Sequence, residues 1–416
     1  MKSVLKGLGF VALLLGLFAF GFTWRDLQAG RLPQGHSMAT LLGVGADGRN
    51  LSITEQFEQT YRKIAADYYK PVDGKKLKYA ALEGLMASLG DPHTMFMEPK
   101  DAQEFALETK ANFVGVGARL SPDPLGAKVV VVFDDGPAAR VGIKAGDTIT
   151  AVDDKSAVGK AIDDIVSTIR GKEGTPVTLT ILRKDSSKPL VFSCKRARII
   201  TPTVESRVIE GTQFGYLSVS QFAEPTTDQF DANLDKLEKQ HIKGLVIDLR
   251  GNPGGLLETA KDMLSRFVEN KVVVKMKGRG GQEEVLNTES GMARKWSYPI
   301  TILLNDDSAS AAEIFSGVLQ DYGKATLVGD HSYGKASVQN VHPLIDNASV
   351  KLTIARYFLP SGRDIGRKVD EDGVYLSGGL APDVKATIDP NDDIIFGDVK
   401  SDTQLQKAIE VLKSKV

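Results

Sequence analysis

The chain has a single cysteine, Cys194, in 416 residues. No intrachain disulfide can form, and that count says nothing about redox compartment. Histidine is also scarce: His36, His93 and His241 are scattered, and only His331 and His342 fall in one neighbourhood. No His/Asp/Glu spacing describes a metal site, and no familiar Ser–His–Asp order is present. The net charge of −1 leaves no global signal for nucleic acid or an anionic membrane surface. Fixed-period repeats and low-complexity tracts are missing as well. What is present is an ordinary globular composition, 42% hydrophobic and 25% charged. At roughly 100–200 residues per domain it predicts two or three domains.

The N-terminus predicts export. Lys2 and Lys6 precede an apolar or small run from Gly7 to Trp24, which Arg25 ends. Such a run spans most of a ~30 Å hydrocarbon core, as a signal-peptide core or, with no clean cleavage site after it, an anchor. Basic residues on the short side place the rest outside the cytoplasm. Residues 1–25 thus form a signal peptide or anchor, and 26–52 a linker. Residues 53–105 form a helical region, with Phe57, Tyr61 and Ile64 on one face and Leu77, Ala81 and Leu85 on another.

From 106 to 196 short β-branched runs alternate with Gly and Asp, which predicts a small, mostly β module. Its phrase Gly136 to Asp147 is similar to the bacterial form of a PDZ domain. The loop Phe113-Val114-Gly115-Val116-Gly117 then supplies N–H groups for a terminal carboxylate, and a peptide adds beside it as a strand. Without the downstream phrase, the two glycines read simply as a tight bend. Cys194, at the end of a strand, reads as core. From 197 to 388 strands and helices alternate, which predicts an α/β core. Its strand Gly244–Leu249 has the continuous apolar character of one buried on both faces. Residues 389–416 end in an amphipathic helix carrying Leu405, Ile409 and Leu412.

Three pieces of the α/β region could carry chemistry. Ser310 opens a helix whose apolar stripe runs through Ala311, Ile314, Phe315, Val318 and Leu319. There it is either a nucleophile at the positive helix end or one half of a capping box with Glu313. Lys335 follows a glycine loop and shares a strand face with Ser337 and Gln339. It is a base if burial or a neighbouring cation lowers its pKa, and otherwise a solvated surface lysine. Gly251-Asn-Pro-Gly-Gly255 is an oxyanion-binding turn or a plain βα turn.

Taken in order, the phrases resemble the carboxyl-terminal processing, or tail-specific, serine proteases. They are Asp91-Pro-His93, Phe113–Gly117, Gly136–Asp147, Asp248–Gly255, Ser308–Ile314, Gly334-Lys335, Gln339, Tyr357–Arg363 and Gly379–Asp383. The resemblance implies a crotonase-like or ClpP-like α/β protease core with an inserted PDZ domain and helical ends. It implies Ser310 as nucleophile, Lys335 as general base and Gln339 orienting the lysine. The oxyanion would be held by N–H groups of Ala311 and of Gly254 or Gly255. It implies no cofactor and no metal. The partners it implies are protein substrates docked by their C-termini at the PDZ domain, a second copy of the chain and an adaptor or activator. Ala336, where many relatives have glycine, and the insertion-like stretch Arg367–Ser377 depart from the pattern. The alternatives are a proteolytically inactive PDZ scaffold that binds C-terminal peptides and, more distantly, an acyl-CoA enzyme.

Overall fold

The computed structural model describes residues 52–416 apart from 135, 187, 372–373 and 389–393. The signal or anchor segment and all but the last residue of the linker lie outside these. Among the described residues no helix is long and apolar enough to cross a membrane. The chain divides into two compact units, up to Lys78 and from Tyr79 onward.

In the first unit, helix α1 (Ile53–Asp67) starts from a capping box in which Ser52 N–H donates to the Glu55 carboxylate at 2.8 Å. Its apolar side is uncovered, because α1 buries no residue. Helix α2 (Gly74–Ala87) carries the chain across the boundary and stops before Asp91-Pro92, as the restriction on pre-proline residues requires.

The second unit continues with strand β1 (Met95–Met97) and helix α3 (Pro99–Thr109), which has proline in its first turn. The small β module follows: β2 (Asn112–Gly115), β3 (Ala118–Asp123), β4 (Gly126–Val132), a helical turn α4 (Pro137–Arg140), β5 (Thr148–Val152) and β6 (Lys155–Ser156). Helix α5 (Ile162–Ile169), β7 (Pro176–Leu182), β8 (Leu190–Lys195) and β9 (Ala197–Ile200) complete it. Its sheet runs β3-β4-β5-β7-β8 with β6 on β5, and β2 pairs separately with β9. The module has its own core, including Val129, Ile149, Ile165, Leu179, Ile181 and Cys194. Burial pushes the Cys194 thiol up, so it is a small apolar residue here rather than a nucleophile.

The α/β core comprises β10 (Val204–Val208), β11 (Phe214–Val219), α6 (Thr226–Glu238), β12 (Gly244–Asp248), α7 (Leu257–Leu264), β13 (Val272–Gly278) and β14 (Glu283–Asn287). It goes on through β15 (Ile300–Leu304), α8 (Ala311–Asp321), β16 (Thr326–Gly329), β17 (Ser337–Pro343) and β18 (Ser349–Phe358). A small hairpin, β19 (Lys368–Val369) and β20 (Tyr375–Ser377), precedes β21 (Val384–Lys385) and the last helix, α9 (Thr403–Lys413).

The principal sheet is ordered β10-β11-β12-β15-β16-β21, parallel except for the β10 edge. Every residue of β12 and β15 is buried, because the sheet is covered on both faces. One face carries Phe230, Met263, Phe315 and Leu319 from α6, α7 and α8. The other is covered by Leu405, Ile409 and Leu412 of α9, so the C-terminal helix is part of the core. A second sheet, β1-β18-β13-β14 with β17 on β18, stands beside it. The loops after β12, β15 and β16 leave the carboxyl ends of parallel strands at one edge, where ligands bind in open α/β sheets.

Candidate active site

Three loops meet at that edge and are stitched together by backbone and side-chain hydrogen bonds. From the first, Asn252 accepts the Ala309 N–H on its carbonyl (2.9 Å) and donates its side-chain amide to Val219 O (2.8 Å). From the second, Ser308 Oγ donates to Leu249 O at 2.8 Å, and its carbonyl accepts Tyr333 N–H of the third at 3.0 Å. Gly254 has φ +98° and lies so close that a Cβ there would stand 2.7 Å from Ala309 O and from Ser310 Cβ. Only glycine fits this approach.

Behind the first loop, Arg250 is buried with two carboxylates, Asp248 and Asp402, each at 2.6 Å. Asp402 caps α9 and also receives the N–H groups of Gly397 and Leu405. Burial works against its charge, but the Arg250 guanidinium and these donors hold it below the ordinary carboxylate range.

Ser310 is the N-cap of α8 and has φ 53°, ψ −115°, a conformation that non-glycine residues rarely adopt. A cap holds the serine there, as the sequence allowed: Ser310 N–H donates to Glu313 Oε2 at 2.8 Å. The same carboxylate reaches further than a capping box does. It also accepts Lys335 N–H (2.8 Å), Gly334 N–H (2.6 Å) and the Ser332 hydroxyl (2.5 Å). Burial pushes the Glu313 carboxyl up and the four donors pull it back. Burial outweighs them and the Glu313 pKa is raised; three of the four partners are N–H groups that can only donate, while the Ser332 hydroxyl can donate or accept. Tyr357, fully buried, adds a second tie by donating to Lys335 O at 2.6 Å. Neither Glu313 nor Tyr357 was singled out from sequence as part of the site.

Ser310 and Lys335 line one cavity of about 660 Å³ with apolar walls from Phe105, Phe222, Ile314 and Leu257. Lys335 is half-buried and forms no ion pair among the described residues. Burial lowers its pKa first and the Lys351 charge next, against the pull of Glu313 and Asp91. His93 lies in the same field; burial and the two lysines hold it low, with Asp91 opposing.

Gln339 also lines the cavity. Its amide donates to Ser337 Oγ (2.7 Å) and Thr353 Oγ1 (3.3 Å), and among the described residues it has no bond to Lys335. The ladder between β17 and β18 shifts between Val338 and Gln339, where β18 carries one extra residue, Ile354, and Gln339 meets Ser337 on the face that the two-residue period of β17 gives them. Of the glycine pair, Gly254 N–H is engaged by Asn252 Oδ1 at 2.8 Å. The N–H groups of Gly255 and Ala311 make no hydrogen bond among the described residues.

Residues 213–386 match Peptidase family S41, 128–183 the PDZ domain, and 33–101 the activating protease CtpB N-terminal domain. A carboxy-terminal processing protease, CtpB, of Bacillus subtilis is 34% identical over 336 residues, covering 80% of this chain and 69% of that protein. The chain belongs to peptidase family S41. It is therefore a serine-type peptidase of the carboxy-terminal processing family, an α/β core with a PDZ domain. The carboxy-terminal-processing protease of Bartonella bacilliformis is 36% identical over 334 residues, covering 79% and 74%. A putative S41 protease from Bacteroides fragilis shares the fold, with TM-score 0.53 and 16% identity over 85% of this chain and 92% of that one.

In the PDZ domain the predicted loop Phe113–Gly117 has its carbonyls engaged, Val116 O by Ala138 N–H at 2.7 Å and Gly117 O by Phe133 N–H at 3.0 Å. The N–H groups of Val116 and Gly117 make no hydrogen bond among the described residues. Strand β3, which follows, is at the edge of its sheet and packs against α5.

Proposed function

We propose that the chain is an exported endopeptidase that cleaves proteins docked by their C-termini, through a Ser–Lys acyl-enzyme. The observation that carries this reading is a half-buried Lys335, without an ion pair among the described residues, in the same cavity as Ser310. In the mechanism Ser310 Oγ attacks the scissile carbonyl carbon while its proton passes to Lys335 Nζ. Charge on the carbonyl oxygen is met by the N–H groups of Ala311 and Gly255. Collapse breaks the C–N bond, the leaving amine takes the proton, and water then hydrolyses the ester with Lys335 again as base.

The PDZ loop would hold the substrate's terminal carboxylate, and gating would run through α3. That helix joins β2 of the PDZ domain directly, and its Phe105, Ala106 and Thr109 line the cavity. Its C-terminal end is tied to the core where Thr109 O accepts Glu224 N–H at 3.2 Å. Gln339, turned to Ser337 and Thr353, supports a resting arrangement that a docked C-terminus would change. Export rests on Lys2, Lys6 and the run Gly7–Trp24. The homo-oligomer rests on Ile53 and Phe57, exposed on α1, and an adaptor remains part of the reading.

The test is cleavage of an unstructured polypeptide. Ser310→Ala and Lys335→Ala should each abolish it, and Ser310→Ala used as a trap should capture exported proteins by their C-termini. A Lys335→Ala variant with near-full activity would sink the Ser–Lys assignment.

A further inference from the structure

Lys351 sits on β18, two residues before Thr353, so the two side chains share a face of the strand. Thr353 Oγ1 accepts from Gln339, and Lys351 lines the cavity with Ser310 and Lys335. Its ammonium stands 5.4 Å from the centre of the Phe105 ring, a contact that favours a cation without neutralising it. Among the described residues Lys351, like Lys335, forms no ion pair.

Four charged or titratable groups face Lys335: Glu313 from α8, Asp91 and His93 from the segment before β1, and Lys351 from β18. The Glu313 oxygens are filled by three backbone N–H groups and Ser332. Asp91 is engaged by His93 N–H (2.9 Å) and Thr94 Oγ1 (2.7 Å). Both carboxylates, which pull the other way, thus have donors of their own, and among the described residues neither forms an ion pair with Lys335 or Lys351. Two ammonium groups lining one cavity repel, which favours loss of a proton from the pair.

We propose that Lys351 is a positioning residue for Lys335: a second cation, held against Phe105, that drives Lys335 into its neutral, proton-accepting form. The inference rests on Lys335 being the base. It assigns to β18 an electrostatic part in catalysis in addition to pairing β17.

The test is kcat and KM of the full chain on an unstructured, fluorogenic polypeptide from about pH 6 to about pH 10. It compares wild type with Lys351→Met, Lys351→Gln and Lys351→Arg, and includes Lys335→Ala. The neutral variants should lose roughly tenfold in kcat/KM at neutral pH, with the acid limb moved to higher pH and most activity regained there. KM should change little, and Lys351→Arg should keep the wild-type limb. A loss by the same factor at every pH, or a raised KM with an unmoved limb, overturns the proposal in favour of a packing or substrate-binding role. Lys335→Ala separates the two levels. If it is inactive while the limb of Lys351→Met stays in place, only the inference on Lys351 fails; if it is active, the base assignment itself fails.

Discussion

Exchanging Glu313 for glutamine changes one atom and tests how nucleophile and base are held together. Its two oxygens each face two donors, Ser310 and Lys335 N–H on one, Gly334 N–H and Ser332 Oγ on the other. An amide of the same shape must turn its NH2 toward one pair. Toward the second pair, Ser332 can rotate to accept, but Gly334 N–H then has no acceptor; toward the first, two N–H groups lose theirs. One orphaned buried donor costs about 1–3 kcal/mol, and each remaining bond drops from charge-assisted to neutral, about 1 kcal/mol apiece. Relief of a buried charge offsets part of this, which leaves about 3 kcal/mol of destabilisation. Urea unfolding followed by Trp296, packed on Phe267 in the α/β core, reads that loss. Because the amide also releases Gly334, next to the base, and weakens the bonds to the Ser310 and Lys335 backbones, kcat should fall on the order of a hundredfold. A Glu313→Gln protein within about 0.5 kcal/mol of wild type and equally active would refute the idea that this carboxylate ties the two loops.

Two further outcomes follow from the same geometry. Ser310 is held at positive φ, so Ser310→Gly should be inactive yet more stable than Ser310→Ala by about 1 kcal/mol in urea unfolding, since glycine alone adopts that conformation freely. The uncovered apolar side of α1 predicts a homodimer in light scattering at micromolar concentration, and a monomeric mass there contradicts it.

Much of the fold was legible because burial on two faces leaves a continuous apolar record. The strands Gly244–Asp248 and Ile300–Leu304 and the stripe of α8 follow directly from it. The PDZ module was legible from glycines that permit turns no other residue makes. The site was legible as residue types but not as contacts. Glu313 looked like half of a capping box, because a three-residue spacing shows the local partner and hides three that arrive from a loop after another strand. Strand alternation put Gln339 on the face of Ser337, which it bonds, but showed nothing of its second partner, Thr353 on the neighbouring strand. Lys351 carried no signal at all; a lysine on a strand reads as solvated until the strand is seen to floor a cavity. The last helix showed its apolar side but not what it covers, and the structure lays it on the second face of the sheet.

That placement has a consequence for the order in which the enzyme can come into being. Arg250 anchors the glycine loop beside Ser310, and half of its carboxylate partners, together with Gln404, come from the cap and first turn of α9. Every other element of the α/β core precedes α9 in the chain. During synthesis the Arg250 guanidinium has only Asp248 of its two carboxylate partners until Asp402 emerges. A protease assembled this way has its cleavage machinery completed last. Its own unfinished chain, the most accessible unstructured polypeptide nearby, is then out of danger until folding has removed it as a substrate.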